Sequence, residues 1–175
     1  MATLFVLVGL PGSGKTTRAR ELEAEHAAIR FTPDEWMIPL LGSDNPARQR
    51  DVLEGRFVAI ARQALNNGIS VVLDFGVWQR NEREALKSLA IETDSSCELL
   101  YLPVDPVEQR QRIEHRFVTA PDSTLYMSEE DLLRYSEWFE EPTLNEQSNL
   151  DPAPSPDGCK SWAHWRAERW PSSDQ

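Results

Sequence analysis

The feature that most constrains this chain is a glycine-rich segment that joins an apolar run to a helical one. Ala2 to Val8 is short and continuously apolar, as expected of a strand buried on both faces of a parallel sheet. Gly9 to Thr16 follows with the pattern G-x-x-x-x-G-K-S/T, and Lys15 to Ala28 has a helical composition. A strand, a glycine turn and a helix in this order predict an α/β fold with a parallel sheet.

The glycine segment has the chemistry of a phosphate-binding loop. Glycines let the backbone turn so that successive N–H groups face phosphate oxygens, and the helix that follows adds its positive end. We expect Lys15 to reach the β- and γ-phosphates and the Thr16 hydroxyl to bind Mg²⁺. The predicted cofactors are therefore ATP and Mg²⁺. The predicted nucleotide-binding residues are Gly9, Leu10, Pro11, Gly12, Ser13, Gly14, Lys15, Thr16 and Thr17.

The rest of the chain alternates between apolar runs and helical segments. Further strands are predicted at Ala28 to Phe31, Ile69 to Leu73 and Cys97 to Val104. Further helices are predicted to begin at Pro33, at about Pro46 with Asn45 as its cap, at Arg80, at Pro106 with Asp105 as its cap, and after Ser128. This order predicts a three-layer P-loop fold with a parallel sheet and a helical lid.

Composition changes towards the C-terminal end. Residues 1–148 are predicted to form the P-loop domain, with a lid at about 112–140 that includes the polar, irregular stretch Phe117 to Met127. Residues 149–175 are predicted to form a proline-rich linker and a tail. This tail contains Trp162, Trp165 and Trp170, so we expect part of it to pack back on the domain.

Charge and composition narrow the classes of partner. Asp and Glu number 29 against 18 Lys and Arg, a net charge of −11, whereas a protein that holds a nucleic-acid backbone needs a basic face. No apolar run is long enough to cross a membrane, and no basic region precedes the first apolar run. With two cysteines and no disulfide framework, a cytoplasmic protein is expected. The sequence does not indicate an oligomeric state.

Two acids follow predicted strands. Asp74 ends the third strand in the manner of a Walker B acid, which contacts Mg²⁺ directly or through water; an ordinary strand-end carboxylate is the alternative. Asp34 follows the second strand, whose carboxyl end lies at the same sheet edge as the glycine segment. A carboxylate there would accept a proton from a hydroxyl that attacks the γ-phosphate. An acid at this second helical position also complements the helix dipole without any catalytic role.

Several other side chains are candidates for the site. Arg112 and Arg116 are four residues apart and share one helix face, where they would clamp phosphates and offset developing charge. The alternative is that they pair with neighbouring acids on a solvated surface. Trp78 and nearby aromatic residues are candidates for an acceptor pocket, although ordinary packing also explains them.

Together these residues resemble a known family. Over about residues 3–142 the chain is similar to small P-loop kinases of the chloramphenicol phosphotransferase, gluconate kinase and zeta-toxin type, including bacterial kinases labelled AAA-type ATP-binding proteins. The segments that carry the resemblance are Gly9 to Thr16, Phe31 to Glu35, Val71 to Asp74, Asp105 to Arg116, and Trp138 to Pro142. The resemblance implies a kinase with Asp34 as its base and Arg112 and Arg116 on the triphosphate.

The resemblance also implies residues that contact the phosphate acceptor. Arg80 and Arg83 stand at the family's spacing after Asp74, and we take them, with Trp78, as candidate acceptor contacts. Gly76 departs from the family, which usually has a small polar residue there. Three functions stay open: a kinase that transfers the γ-phosphate to a hydroxyl of a small molecule, a 5′-hydroxyl polynucleotide kinase, and an ATP-binding or hydrolysing module without an acceptor. The identity of the acceptor is not indicated.

Overall fold

The structure is a computed structural model that describes residues 1–41, 47–120, 124, 126–148 and 151–173. Its strands are β1 Thr3–Val8, β2 Ile29–Phe31, β3 Val71–Leu73 and β4 Ser96–Tyr101. Its helices are α1 Lys15–His26, α2 Pro33–Leu41, α3 Ala47–Asn66, α4 Arg80–Glu92, α5 Pro106–Thr119, α6 Glu129–Trp138, α7 Leu144–Ser148 and α8 Trp162–Arg169.

The four strands form one parallel sheet in the order β2-β3-β1-β4. The central strand β1 pairs on both sides, with Leu4 opposite Val71 on β3 and opposite Cys97 on β4. Helices cover both faces, so residues 4–8 are almost completely buried, which explains why β1 is apolar without alternation. The predicted three-layer α/β P-loop fold is confirmed. No helix among the described residues is long and apolar enough to cross a membrane.

Several element boundaries follow local signals that the sequence contains. The Asp105 side chain caps α5 by accepting a hydrogen bond from the backbone N–H of Val107 at 2.9 Å. Ser128 and Asp131 form the reciprocal capping box that begins α6. Both predicted helix starts are thus confirmed. The predicted cap Asn45 and helix start Pro46 lie outside the described residues.

Other boundaries differ from the sequence prediction. The fourth strand ends at Tyr101 rather than Val104, because Asp105 and Pro106 already commit the chain to α5. Helix α5 continues to Thr119, through residues predicted to be irregular from Phe117 onward. Residues 121–123 and 125 of the predicted lid lie outside the described residues.

The C-terminal tail packs on the helices that cover one face of the sheet. Trp170 is fully buried and Trp162 nearly so, and both belong to the same hydrophobic cluster as β1 and β3. Helix α8 contacts α3 and α4. At Gly55 of α3 a Cβ atom would lie 2.2 Å from the backbone oxygen of Pro171, so glycine is what allows this close approach. The tail therefore shares the core of the P-loop domain.

Candidate active site

Gly9 to Gly14 form a tight loop between β1 and α1, and Lys15 and Thr16 begin the helix. A Cβ atom on Gly9 would lie 2.6 Å from both the Leu102 backbone oxygen and Ser13 Oγ, so the loop closes only around glycine. Gly14, which precedes α1, has a φ of 93°, in the left-handed region that favours glycine. The first N–H groups of α1 lack intrahelical acceptors, so this helix start suits an anion.

Lys15 is the first residue of α1, and its side chain folds back onto the loop. Its Nζ donates hydrogen bonds to the backbone oxygens of Gly9 and Leu10, both at 2.8 Å. Burial lowers the pKa of Lys15 to about 8, while the charges of Asp74 and Asp34 act to raise it. A bound phosphate would give the buried ammonium a stronger counter-charge than the carbonyl oxygens provide.

Asp74 lies at the end of β3, beside the loop. Thr32 Oγ1 donates to Asp74 Oδ2 at 3.0 Å. Burial raises the pKa of Asp74, and the hydroxyl groups of Thr32 and Thr16 counter that effect. Ser13 Oγ, in the same loop, is buried without a hydrogen-bond partner in the described part of the chain. Adjacent hydroxyl and carboxylate oxygens are the hard ligands that Mg²⁺ prefers, so Thr16 and Asp74 fit this ion.

Asp34 lies in the first turn of α2 and lines the same cleft as the loop. Its Oδ1 accepts a hydrogen bond from Arg50 Nη1 at 2.8 Å, and its side chain is 41% exposed. Arg50 Nε donates to Glu54 Oε1 at 2.9 Å, so the guanidinium joins two carboxylates. Sequence reasoning did not identify Arg50 or Glu54. The four-residue spacing of this acid–base pair on α3 was a signal, but an unspecific one.

The two candidate lid arginines also line the cleft. Arg112 Nη1 donates to the backbone oxygen of Gly12 at 3.1 Å, and its Nη2 donates to Glu108 Oε1 at 2.6 Å. Arg112 thus forms the surface ion pair of one predicted alternative and also contacts the phosphate loop, while the clamping of phosphates by Arg112 and Arg116 stays a prediction. The positive charge of Arg116 lowers the pKa of Lys15, which indicates that the two cations lie in one electrostatic environment.

The cleft has a volume of about 1810 Å³ and extends from the phosphate loop to Trp78. The indole ring of Trp78 packs against Tyr135 with 4.9 Å between ring centroids. A Cβ atom on Gly76 would lie 2.7 Å from Trp78 Nε1, so the departure at Gly76 makes room for this ring. Trp78 is the predicted acceptor contact that the structure places in the cleft.

Arg80 and Arg83, the other predicted acceptor contacts, do not line the cleft. Arg83 is almost fully buried and forms an ion pair with Glu146, with Nη2 and Oε2 3.2 Å apart. Its Nη1 donates to the backbone oxygen of Trp78 at 2.9 Å. Arg80 is exposed, and its backbone N–H donates to Glu140 Oε2 at 2.7 Å. The Arg83 side chain and the Arg80 backbone thus support the loop that contains Trp78, and a contact of either residue with an acceptor stays a prediction.

The charged residues that α2, α3, α4 and α8 contribute to the cleft form a mixed lining that we call the acceptor side. Its acids and bases alternate in space. Arg50 lies between Asp34 and Glu54, and Arg169 lies between Asp51 and Glu82 at 2.7 Å from each. The charged residues of the acceptor side are Asp34, Arg50, Asp51, Glu54, Glu82 and Arg169.

This fold, with its phosphate loop at the end of the central strand, defines the chain as a P-loop nucleotide-binding protein. Residues 4–142 match the family model described as AAA domain, and the chain belongs to that family. A search of curated proteins found no match.

Solved structures share the fold at low sequence identity. Kti12 from Chaetomium thermophilum, solved with ADP-AlF3, has a TM-score of 0.66 and 19% identity, with 95% of each chain covered. A gluconokinase from Sinorhizobium meliloti has a TM-score of 0.58 and 16% identity, over 98% of this chain and 91% of that one. A chain of the Pnkp1/Rnl/Hen1 RNA repair complex has a TM-score of 0.67 and 18% identity, over 89% of this chain and 49% of that one.

Proposed function

We propose that the chain is an ATP-dependent phosphotransferase that moves the γ-phosphate of ATP to a hydroxyl group of a small molecule. The observation that carries the proposal is that Asp34 and Lys15 face one cleft, close enough for the Asp34 charge to act on Lys15. Lys15 marks the position of the phosphates, and Asp34 offers a proton acceptor on the side where an acceptor hydroxyl has room to bind.

In this proposal each residue has a defined task. Lys15 and the loop N–H groups hold the β- and γ-phosphates, and Arg112 and Arg116 offset charge on the transferred group. Thr16 and Asp74 would hold Mg²⁺, which would offset the negative charge of the phosphates. Asp34 takes the proton of the acceptor hydroxyl while the oxygen of that hydroxyl forms a bond to the γ-phosphorus. The bond from that phosphorus to the bridging oxygen breaks, which leaves ADP and the phosphorylated acceptor.

The charge of the acceptor side favours a small molecule over a nucleic-acid end. Four carboxylates and two guanidinium groups line it, and each guanidinium already lies between two carboxylates. A 5′-hydroxyl end carries a phosphodiester close to the attacking oxygen, and binding it requires uncompensated positive charge. We therefore propose an uncharged or cationic acceptor. The fold shared with the RNA repair chain keeps polynucleotide 5′-hydroxyl kinase as the second candidate.

Transfer of a labelled γ-phosphate tests the proposal. The protein is incubated with Mg²⁺ and γ-labelled ATP, together with a panel of uncharged polyols, amino-substituted hydroxyl compounds, phosphorylated sugars and a 5′-hydroxyl oligonucleotide. Mass spectrometry then detects the added phosphate. We expect labelling among the uncharged or cationic compounds, and its loss in Asp34→Asn. Label on the oligonucleotide alone would support the second candidate. Hydrolysis without any transfer would support a module that lacks an acceptor.

The neighbouring acid Glu35 provides a matched control for Asp34. It lies on the same first turn of α2, but its carboxylate pairs with Arg20 and Arg30 and does not line the cleft. Glu35→Gln removes one negative charge from the same helix start. We therefore expect Glu35→Gln to retain transfer, which would separate proton acceptance by Asp34 from a general effect of helix charge.

A further inference from the structure

The C-terminal tail reaches the acceptor side of the cleft, although it lies beyond the residues that define the family. The family match ends at residue 142, and the tail brings Arg169 into the cleft lining and Trp170 underneath it. In this chain the cleft is therefore completed by a segment that the family model does not include.

A continuous chain of hydrogen bonds leads from the tail to Asp34. Trp170 Nε1 donates to Glu54 Oε2 at 3.2 Å. The other oxygen of Glu54 accepts from Arg50 Nε at 2.9 Å, and Arg50 Nη1 donates to Asp34 Oδ1 at 2.8 Å. Glu54 and Arg50 each use two different atoms for their two hydrogen bonds, so each side chain in the series is oriented by the one before it. We call these four residues the Trp170–Asp34 relay.

The tail end of the relay is firmly held. Trp170 is fully buried, and its ring packs edge-on against Phe75 and Trp165. The Arg166 guanidinium, also buried, donates to the backbone oxygen of Ala85 at 3.0 Å. Because these contacts fix the indole, its N–H holds Glu54 in one orientation. By contrast, Asp34 at the other end is 41% exposed in its side chain and depends on Arg50 for its orientation.

We propose that Trp170 is a positioning residue for phosphoryl transfer, acting through Glu54 and Arg50 on the carboxylate of Asp34. The proposal rests on the proposed function, because it assumes that Asp34 accepts the proton. A general base has to stay within hydrogen-bonding reach of the proton that it removes, and a displacement of about 1 Å costs up to ~10²-fold in rate. Glu54 without its indole partner gains freedom to rotate, and Arg50 moves with it.

The hydrogen bond is the feature that a packing role does not require. An apolar ring of the same shape would fill the space under Glu54 equally well. A buried carboxylate, however, needs a donor for each oxygen, and Trp170 Nε1 and Arg50 Nε supply one each. The proposal therefore predicts that the N–H group alone, rather than the ring, affects transfer.

Semisynthesis isolates that N–H group in the full-length protein. Gly158 precedes Cys159, so residues 1–158 can be joined as a thioester to a synthetic peptide of residues 159–175 and the product refolded. In the peptide, benzothienylalanine replaces Trp170 and exchanges the N–H for a sulfur atom with little change of shape. The matched control places the same residue at Trp165, which packs in the same aromatic cluster; among the described residues the bonds to Glu54 come from Arg50 and Trp170.

Single-turnover hydrolysis of Mg²⁺–ATP, with water in the acceptor position, provides a readout that needs no identified acceptor. We expect replacement at Trp170 to slow turnover roughly tenfold while the ATP dissociation constant stays unchanged, and replacement at Trp165 to leave both values unchanged. A wild-type rate with the replacement at Trp170 would overturn the proposal. So would a loss of ATP affinity that accounts for the slower turnover.

Two substitutions test whether Trp170 acts through Glu54. Glu54→Gln and Trp170→Phe should each slow turnover, and the double variant should be no slower than Glu54→Gln alone. Multiplicative losses would instead indicate independent structural effects and would refute the relay. Asp34→Asn separates this failure from failure of the proposed function. If Asp34→Asn turns over normally, Asp34 is not the base, and both its proposed role and the relay are wrong. If it is slow while the Trp170 replacement is normal, only the relay is wrong.

Discussion

The indole of Trp78 donates a hydrogen bond from Nε1 to the backbone oxygen of Gly9, over 3.3 Å. The same oxygen accepts from Lys15 Nζ at 2.8 Å, so the phosphate loop and the loop after β3 share one carbonyl group. The Trp78 ring can lie there because residue 76 has no side chain. The position of the loop after β3 is thus tied to the position of the phosphate loop.

The first prediction follows from this contact. In Gly76→Ala the new methyl group would lie 2.7 Å from the Trp78 ring, which is rigid and must move. We expect the free energy of unfolding, measured by urea denaturation, to fall by about 1–3 kcal/mol, as in other overpacked sites. Trp78→Phe lacks the ring atoms that clash, so Gly76→Ala should cost less in that background. Equal costs in both backgrounds would contradict this explanation.

The second prediction concerns Lys15. Its ammonium contacts two carbonyl oxygens of the phosphate loop and contributes charge rather than apolar packing. We therefore expect Lys15→Ala to remove measurable Mg²⁺–ATP binding and turnover while the protein stays folded by circular dichroism. Lys160→Ala, at an exposed position of the tail, is the control and should bind ATP normally. Unchanged ATP affinity of Lys15→Ala in calorimetry would contradict the assignment of the loop.

The third prediction concerns Asp34. Asparagine keeps the size of the side chain and an oxygen that accepts from Arg50, but it does not take up the proton of the acceptor. We expect Asp34→Asn to lower the rate of phosphoryl transfer roughly 10²–10⁴-fold, the usual cost of losing a general base. ATP affinity, measured in the same preparation, should stay close to the wild-type value. Joint loss of ATP and Mg²⁺ binding would instead assign Asp34 to the metal site.

Sequence reasoning located those parts of the site whose signals are local. The phosphate loop needs a fixed pattern of glycines and Lys15, and Asp74 follows directly from the end of an apolar strand. The caps at Asp105 and Ser128 are equally local, since donor and acceptor lie within three residues. Such features are visible in a single sequence because the chain itself sets the geometry.

The acceptor side was not predictable in this way. Trp170 meets Glu54 across 116 positions of sequence, and Arg169 meets Glu82 across 87. These contacts arise only when α8 packs on α3 and α4, which no local pattern specifies. The same reason explains why the buried position of Arg83, outside the cleft lining, was not predicted. The spacing of Arg83 after Asp74 matched that of the resembled family. Its ion-pair partner Glu146, however, belongs to helix α7, whose packing the sequence did not indicate.

The fourth prediction is a dependence of stability on pH. Burial raises the pKa of Glu54 from 4.5 to about 7 despite its ion pair with Arg50. The folded protein therefore holds this proton more tightly than the unfolded chain. This tighter proton binding at Glu54 raises the free energy of unfolding; the contribution is fully present below pH 4.5 and is lost as pH rises towards 7. Between pH 5 and 7.5 the free energy of unfolding falls by about 2 kcal/mol for this reason.

Urea denaturation of Glu54→Gln at pH 5 and 7.5 measures this contribution. Glutamine does not titrate, so between the two pH values the free energy of unfolding should fall by about 2 kcal/mol less in the variant than in the wild type. Other groups titrate equally in both proteins and cancel in the difference. Glu35→Gln is the control, because Arg30 holds the pKa of Glu35 below its usual value and outside this window. A wild-type slope in Glu54→Gln would show that Glu54 is already ionised at pH 5.

The last prediction concerns the arginines of α5. Arg112 already contacts the phosphate loop at Gly12, and Arg116 acts on Lys15 through its charge. If they offset charge on the transferred phosphate, the double variant Arg112→Ala, Arg116→Ala should lose roughly 10³-fold in transfer, the lower range for an arginine that acts in this way. Arg110→Ala is the matched control, because this arginine lies on the same helix, is exposed and does not line the cleft. Transfer kinetics and urea denaturation of all three proteins, run side by side, separate a catalytic loss from a loss of folding. Full transfer by the double variant would assign both arginines to the solvated surface, whereas raised hydrolysis with lost transfer would show that they position the phosphate for the acceptor.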